Sequence, residues 1–239
     1  MAKSKLGNLI KRATSVVKDN TDVEMYNVLK SAGTLPMKGL FKTEVNGLEN
    51  IPKTGPVIIA ANHRSFIDSI FIPFVIPRKV TFVAKAEYFD SIKTRWFFKA
   101  TGQIPIRRDS SSSGAGALLS AKEILDAGEV FGIYPEGSRT RDGFLHRGHT
   151  GVARLALESD ALLIPVGLIG TEHVQSITEK IPRFGKKVTV NFGKPINVDK
   201  YRNIRDTRLA LRNLTDELMY EIFELCRYGY VDTYVRSID

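Results

Sequence analysis

Apolar and polar positions alternate along this chain in two different periods, and the period changes repeatedly. Residues 3–18 carry Leu6, Leu9, Ile10, Ala13, Val16 and Val17 at helical spacing, a single apolar stripe flanked by Lys3, Lys5, Lys11, Arg12 and Lys18. A second helical segment follows near 23–32. From Phe41 the pattern changes. Phe41, Thr43 and Val45 alternate like a half-buried strand. Val57–Ala61 is a continuous apolar run, as expected of a strand covered on both faces. A helix is predicted over 66–75, stopped by Pro77. Strand Val80–Ala84, a helix over 93–101 and an extended stretch Gln103–Ile106 come next. They are followed by helix 115–127, ended by Gly128, and strand Val130–Tyr134. Helix Gly151–Leu157, strand Leu162–Val166 and strand Val188–Phe192 complete the alternation. A long helix, continuous or broken, is predicted over 202–226. Strands alternating with helices predict an α/β fold with a mostly parallel, mixed sheet flanked by helices. We divide the chain into an amphipathic helical segment, 1–39, and a domain, 40–239.

The length of 239 residues and a hydrophobic content of 43% suit one α/β domain with an extension, and they exclude a disordered chain. No stretch reaches the roughly 18 apolar residues of a membrane span. The N-terminal residues lack the apolar core of a secretory signal. A peripheral place on the cytoplasmic face of a membrane is the expectation, with the basic amphipathic segment 1–39 as its contact. The single Cys226 excludes an intrachain disulfide framework and a cysteine-rich zinc module, and reads as a buried small hydrophobe. A net charge of +9 calls for an acidic partner. No recognition helix, RNA-binding sheet motif or zinc finger accompanies that charge, so nucleic acid is not expected. An anionic membrane surface or a phosphorylated ligand is.

Four segments at strand ends could carry chemistry. Asn62-His63-Arg64-Ser65-Phe66-Ile67-Asp68 follows a strand and opens a helix. In a regular helix His63 and Asp68 would point about 140° apart. With His63 ahead of the helix and Asp68 in its first turn, the two can meet. Ser65-x-x-Asp68 also matches a capping box, with Ser65 as the N-cap, so Asp68 has a rival role as a cap. The second segment is Tyr134-Pro-Glu-Gly-Ser-Arg-Thr-Arg141, where Gly137 permits a positive φ or a close approach. Its Arg139 and Arg141 supply planar forks suited to phosphate. The third, Gly102-Gln-Ile-Pro-Ile-Arg-Arg108, ends in two cations. In the fourth, Leu163-Ile-Pro-Val166, a proline within a strand marks an edge or an end. The serine- and glycine-rich stretch 110–116 lacks the spacing of a phosphate-binding loop and reads as a surface loop. His146 and His149 lack further ligands, so no metal is expected.

In order and spacing these segments resemble the signature blocks of the glycerophospholipid acyltransferases, and most closely the bacterial members that acylate 1-acyl-glycerol-3-phosphate. N-H-x-x-x-x-D matches at Asn62, His63 and Asp68, and G-x-I-P-x-x-R at 102–108. [FY]-P-E-G-[ST]-R matches at 134–139, and I-P-V at Ile164–Val166. Tyr134 stands where Phe is commoner, Ser138 where Thr is, and Leu145-His146 where the family has Phe-Lys. The resemblance implies transfer of a fatty acyl group from acyl-CoA or acyl-carrier protein to lysophosphatidate or, as the alternative, glycerol-3-phosphate or another lipid alcohol. It implies no cofactor. His63 would be the general base and Asp68 its orienting carboxylate. Arg139, Lys85 and Arg108 would bind the substrate phosphate. Glu136 would organise its block, and backbone amides near Ile106 or Gly137 would meet the oxyanion. No G-x-S-x-G elbow is present, in keeping with a route that needs no acyl-enzyme.

Overall fold

The computed structural model of the protein describes residues 30, 39–90, 95, 98, 103–106, 113–179 and 181–235. The basic stripe of residues 3–18, most of the helix expected over 93–101, and Arg108 lie outside the described residues. A seven-stranded sheet forms the centre, in the order β1-β8-β7-β2-β5-β3-β4. Its strands are β1 (Lys42–Asn46), β2 (Val57–Ala61), β3 (Val80–Lys85), β4 (Ile104–Ile106), β5 (Val130–Ile133), β7 (Leu162–Ile169) and β8 (Lys187–Phe192). All neighbouring pairs are parallel except β7 and β8. One edge of the sheet therefore gathers the C-terminal ends of β2, β3, β4, β5 and β7 with the N-terminal ends of β1 and β8.

The central strand β2 is buried at all five positions. Ile58 and Ala60 pack into one core, while Val57, Ile59 and Ala61 pack into a second core on the opposite face. That explains the unbroken apolar run. The second core is closed by Phe71, Ile72 and Ile76 in and just beyond helix α1 (Asp68–Val75). The first is closed by α3 (Ser113–Asp126), α4 (Gly151–Leu157) and α7 (Thr207–Cys226). Short helices α2 (Glu87–Asp90), α5 (Thr171–Val174) and α6 (Asp199–Arg202) fill the connections. The helix after β2 and the helix after β5 lie on opposite faces, although these strands are neighbours. A crevice opens between such strands at their C-terminal ends, the usual place for a ligand in an open α/β sheet.

Two expectations need correction. Residues 113–116, read as part of a surface loop, already belong to α3. Pro165 lies at neither an edge nor an end of the sheet, because β7 is interior and Pro165 pairs with Ala60. A proline fits there because the antiparallel ladder with β8 begins only at Val166, and Gly193, just past β8, donates to the Pro165 carbonyl at 2.9 Å. The sheet also has an unforeseen companion. Strand β6 (Leu145–His146) pairs in parallel with β9 (Tyr230–Val231), binding the C-terminal segment beside the loop after β5. Cys226 is buried, as its type suggested.

The long C-terminal helix is broken, at 203–206. Asp206 restarts it as α7, its carboxylate accepting from the amides of Arg208 (2.9 Å) and Leu209 (3.2 Å). Leu214, fully buried on α7, anchors its packed face. Asp206→Ala should cost about 1 kcal/mol, and Leu214→Ala about 2–5 kcal/mol. Urea unfolding of the two variants should rank them in that order.

Candidate active site

The site is built where β2 and β5 release the chain. The main chain turns away after Ala61, yet the ladder with β7 continues through a side chain. The buried amide of Asn62 donates to the Leu168 carbonyl at 2.9 Å and accepts from the Leu168 N–H at 2.7 Å. This substitutes for a strand residue and frees His63 to leave the sheet.

His63 Nδ1 lies 2.8 Å from Asp68 Oδ2, with Asp68 fully buried. The same oxygen accepts from the amides of Arg64 and Ser65, each at 2.8 Å. An oxygen that already takes two N–H donors suits a third, so Nδ1 is the ring nitrogen matched to Asp68, and Nε2 is the one left outside the pair. The two roles foreseen for Asp68 fall on one atom. The capping box is only half made. The Ser65 amide reaches Asp68, but the Ser65 hydroxyl donates to the Gln175 carbonyl at 2.6 Å, and helix α1 begins three residues later, at Asp68.

The loop after β5 holds His63 from the other side. Glu136 Oε2 accepts from the His63 amide at 3.0 Å, and the Thr140 amide donates to the His63 carbonyl at 2.9 Å. Glu136 Oε1 accepts from the His146 amide at 2.9 Å. Burial pushes the Glu136 carboxyl up to about 7, against the two N–H donors, which favour the charged form. The imidazole of His63 lies flat on the Tyr134 ring, with centroids 3.8 Å apart and planes 8° from parallel. Tyr134 rests in turn on Phe82, at 5.2 Å, and its hydroxyl pairs with Ser69 Oγ at 2.9 Å. Gly132 makes this stack possible. A Cβ there would lie 2.3 Å from the Phe82 ring.

Gly137 adopts φ 77° and donates its amide to the Tyr134 carbonyl at 3.0 Å. That amide is therefore engaged in a turn, which weakens it as an oxyanion donor. Ile106 and Lys85 face each other in register at the ends of β4 and β3, on the same edge of the sheet as His63. The Lys85 side chain lies outside what the structure describes.

The arginines divide into two kinds. Arg64 is held in place: one nitrogen donates to the Gly143 carbonyl at 2.6 Å, and its guanidinium stacks 4.1 Å over the Tyr228 ring. Tyr228 in turn donates to Glu172 at 2.8 Å. Arg139 is half-buried and, among the described residues, makes no hydrogen bond or ion pair. A cleft of about 210 Å³ opens beside the loop after β5, with Arg64, Thr140, Arg141 and Glu172 in its wall. Sequence reasoning missed the roles of Asn62, Arg64, Tyr134 and His146. The His146 ring spans Asp142 Oδ2 (2.9 Å) and the Thr233 carbonyl (3.1 Å), tying the site to the C-terminal segment. The presence of Asn62, Arg64 and Tyr134 in the signature blocks was the available signal; nothing marked Thr233. Among the described residues no cluster of His, Cys, Asp or Glu gathers that could hold a metal ion.

A histidine paired with a buried carboxylate, just past the end of a central strand, is an arrangement able to move a proton. Residues 42–169 match the family model described as Acyltransferase, and the chain belongs to that family. It is similar to a 1-acyl-sn-glycerol-3-phosphate acyltransferase of Bacillus subtilis, at 25% identity over 76% of this chain and 87% of that one. It is also similar to a chloroplastic enzyme of the same name from Arabidopsis thaliana, at 27% identity over 72% of this chain and 49% of that one. The chain spans about half the length of the first curated relatives it matches. The crystal structure of the 1-acyl-sn-glycerophosphate (LPA) acyltransferase PlsC from Thermotoga maritima shares its fold, with a TM-score of 0.66 over 90% of this chain and 87% of that one at 22% identity.

Glu136 links stability to pH. Its raised pKa means that the folded state holds this proton more tightly than the unfolded state. The resulting stability is full below about pH 4.5 and is lost as pH rises to about 7. Relative to Glu136→Gln, the parent's unfolding free energy should fall by roughly 3 kcal/mol across that window. Urea titrations at several pH values would measure this, and a flat difference would show that the carboxyl stays ionised throughout.

Proposed function

We propose that this protein transfers a fatty acyl group from acyl-CoA or acyl-carrier protein to the free hydroxyl of 1-acyl-glycerol-3-phosphate, giving phosphatidate. The observation that carries this reading is the His63–Asp68 pair, 2.8 Å apart just past the C-terminal end of the central strand β2. The names of the relatives support the choice of acceptor.

An alcohol is a poor nucleophile at neutral pH because its pKa is far above 7. His63 Nε2 takes the hydroxyl proton as the oxygen attacks the thioester carbon, a contribution of about 10²–10⁴-fold. Asp68 holds the tautomer and stabilises the imidazolium that forms. The C–S bond then breaks, and the proton passes from His63 to the departing thiolate. The acceptor oxygen is itself the nucleophile, so no acyl-enzyme intervenes. Arg139 binds the acceptor phosphate, with Lys85 and Arg108 as further cations. The backbone amide near Ile106 is the better remaining candidate for the oxyanion, and loss of such a donor costs roughly 3–4 kcal/mol.

Thiol release from palmitoyl-CoA, with lysophosphatidate, with glycerol-3-phosphate and with water alone, tests the reading. Release should depend on lysophosphatidate. Preference for glycerol-3-phosphate would move the protein one acylation earlier, and release with water alone would make it a thioesterase. No release calls for the same assay with acyl-carrier protein as the donor. His63→Ala should lower kcat by about 10²-fold or more with an unchanged melting temperature. Arg139→Gln should raise KM for the phosphorylated acceptor by roughly 10–100-fold, the value of one charge-assisted contact, with little change in KM for the donor.

A further inference from the structure

The two most exposed large apolar residues among those described, Ile181 (77%) and Phe184 (61%), stand three residues apart in the loop that joins α5 to β8. Leu40, 43% exposed, adjoins them, because its carbonyl accepts from the Gly185 amide at 2.7 Å. Scattered exposed side chains need no explanation, but a contiguous patch of this kind marks an interaction surface.

Its rim is basic. Arg183, Lys186 and Lys187 lie in or beside the loop, and Lys42 is tied to it through a main-chain bond to the Lys186 carbonyl at 3.1 Å. Arg183 pairs with Glu179 and Lys187 with Glu44, whereas Lys42 and Lys186 make no ion pair among the described residues. Exposed ion pairs contribute little, so the two paired cations can turn to a stronger anion. Apolar tips ringed by cations match a bilayer surface bearing anionic headgroups, with hydrocarbon for the tips and phosphates for the rim.

The position of the loop strengthens the reading. β8 runs antiparallel to β7, so the loop before β8 emerges at the same edge of the sheet as His63. It is also braced against the site. Phe184 contacts the buried Phe41 ring at 5.8 Å, and Phe41 contacts Phe71 at 5.3 Å, one helical turn beyond Asp68. We infer that the 181–187 loop, with Leu40 and Lys42, is a docking surface for an anionic lipid bilayer and turns the His63 edge toward the membrane. This rests on the lipid acceptor proposed above and adds a contact separate from the basic stripe of residues 3–18.

The test uses the full chain and the double variant Ile181→Asp/Phe184→Asp. Both are sedimented with vesicles of equimolar phosphatidylcholine and phosphatidylglycerol, and with phosphatidylcholine vesicles alone. The parent should bind the anionic vesicles, and the variant should bind them more than about tenfold more weakly, since two large apolar groups are replaced by anions. Transfer to a dilute, short-chain, monomeric lysophosphatidate should be unchanged, which also shows that the variant is folded. Lys42→Gln/Lys186→Gln should weaken only the anionic-vesicle binding. Vesicle binding by the variant equal to the parent's would overturn the inference. So would equal binding of the parent to neutral vesicles, or a parent dimer that the variant loses without lipid. Vesicle binding is read without any acyl transfer, so a failure of the proposed reaction would be seen separately.

Discussion

The buried carboxylate of Glu136 joins two loops that leave neighbouring strands, and the placement of His63 depends on that junction. One oxygen holds the His63 amide, and the other holds the His146 amide. The Thr140 amide closes the same loop on the His63 carbonyl. The backbone of His63 is thus fixed at both its polar atoms by the loop after β5. Its ring is fixed by Asp68 at one edge and Tyr134 across one face. What remains is a single ring nitrogen, directed by constraints on every other side. A buried carboxylate is costly to desolvate, and two charge-assisted N–H bonds offset that cost only while both loops stay in register.

Order among the rings follows the same logic from further away. Gly132 leaves the space that Phe82 fills, Phe82 supports Tyr134, and Tyr134 supports His63. The family's commoner Phe would stack equally well, but Tyr134 adds a hydroxyl, and the Ser69 hydroxyl on α1 pairs with it. The departure from the family pattern has a local partner. Arg64 illustrates a similar division of labour. Although it sits inside the histidine block, its charge is taken up by the Glu172 carboxylate at 3.8 Å, the Gly143 carbonyl and the Tyr228 ring, while Arg139 has no such partner among the described residues.

Much of this was legible in the residues. Period-two and unbroken apolar runs placed β1, β2, β3, β5 and β8 within a residue or two, whereas the break at 203–206 and its cap Asp206 were located only by the structure. The His63–Asp68 meeting could be foreseen because Asp68 falls at the very start of a helix. Other features could not be read, each for a physical reason. Asn62 imitates a strand through its side chain, which has no signature in hydrophobic period. Pro165 is tolerated inside the sheet only because β8 stops beside it, a fact of tertiary pairing. Two-residue strands such as β6 and β9 are too short to show any period at all.

The pairing of β6 with β9 has a consequence for the order in which the protein is made. Every signature block, from Asn62 to Val166, leaves the ribosome before Tyr228 and Thr233 do. Until those later residues arrive, the Arg64 guanidinium has no ring to lie on and the His146 imidazole lacks one of its two contacts. A nascent chain that already displays every block therefore still lacks contacts that steady them. Those contacts form only when the last described strand, β9, pairs with β6 in the loop that steadies His63.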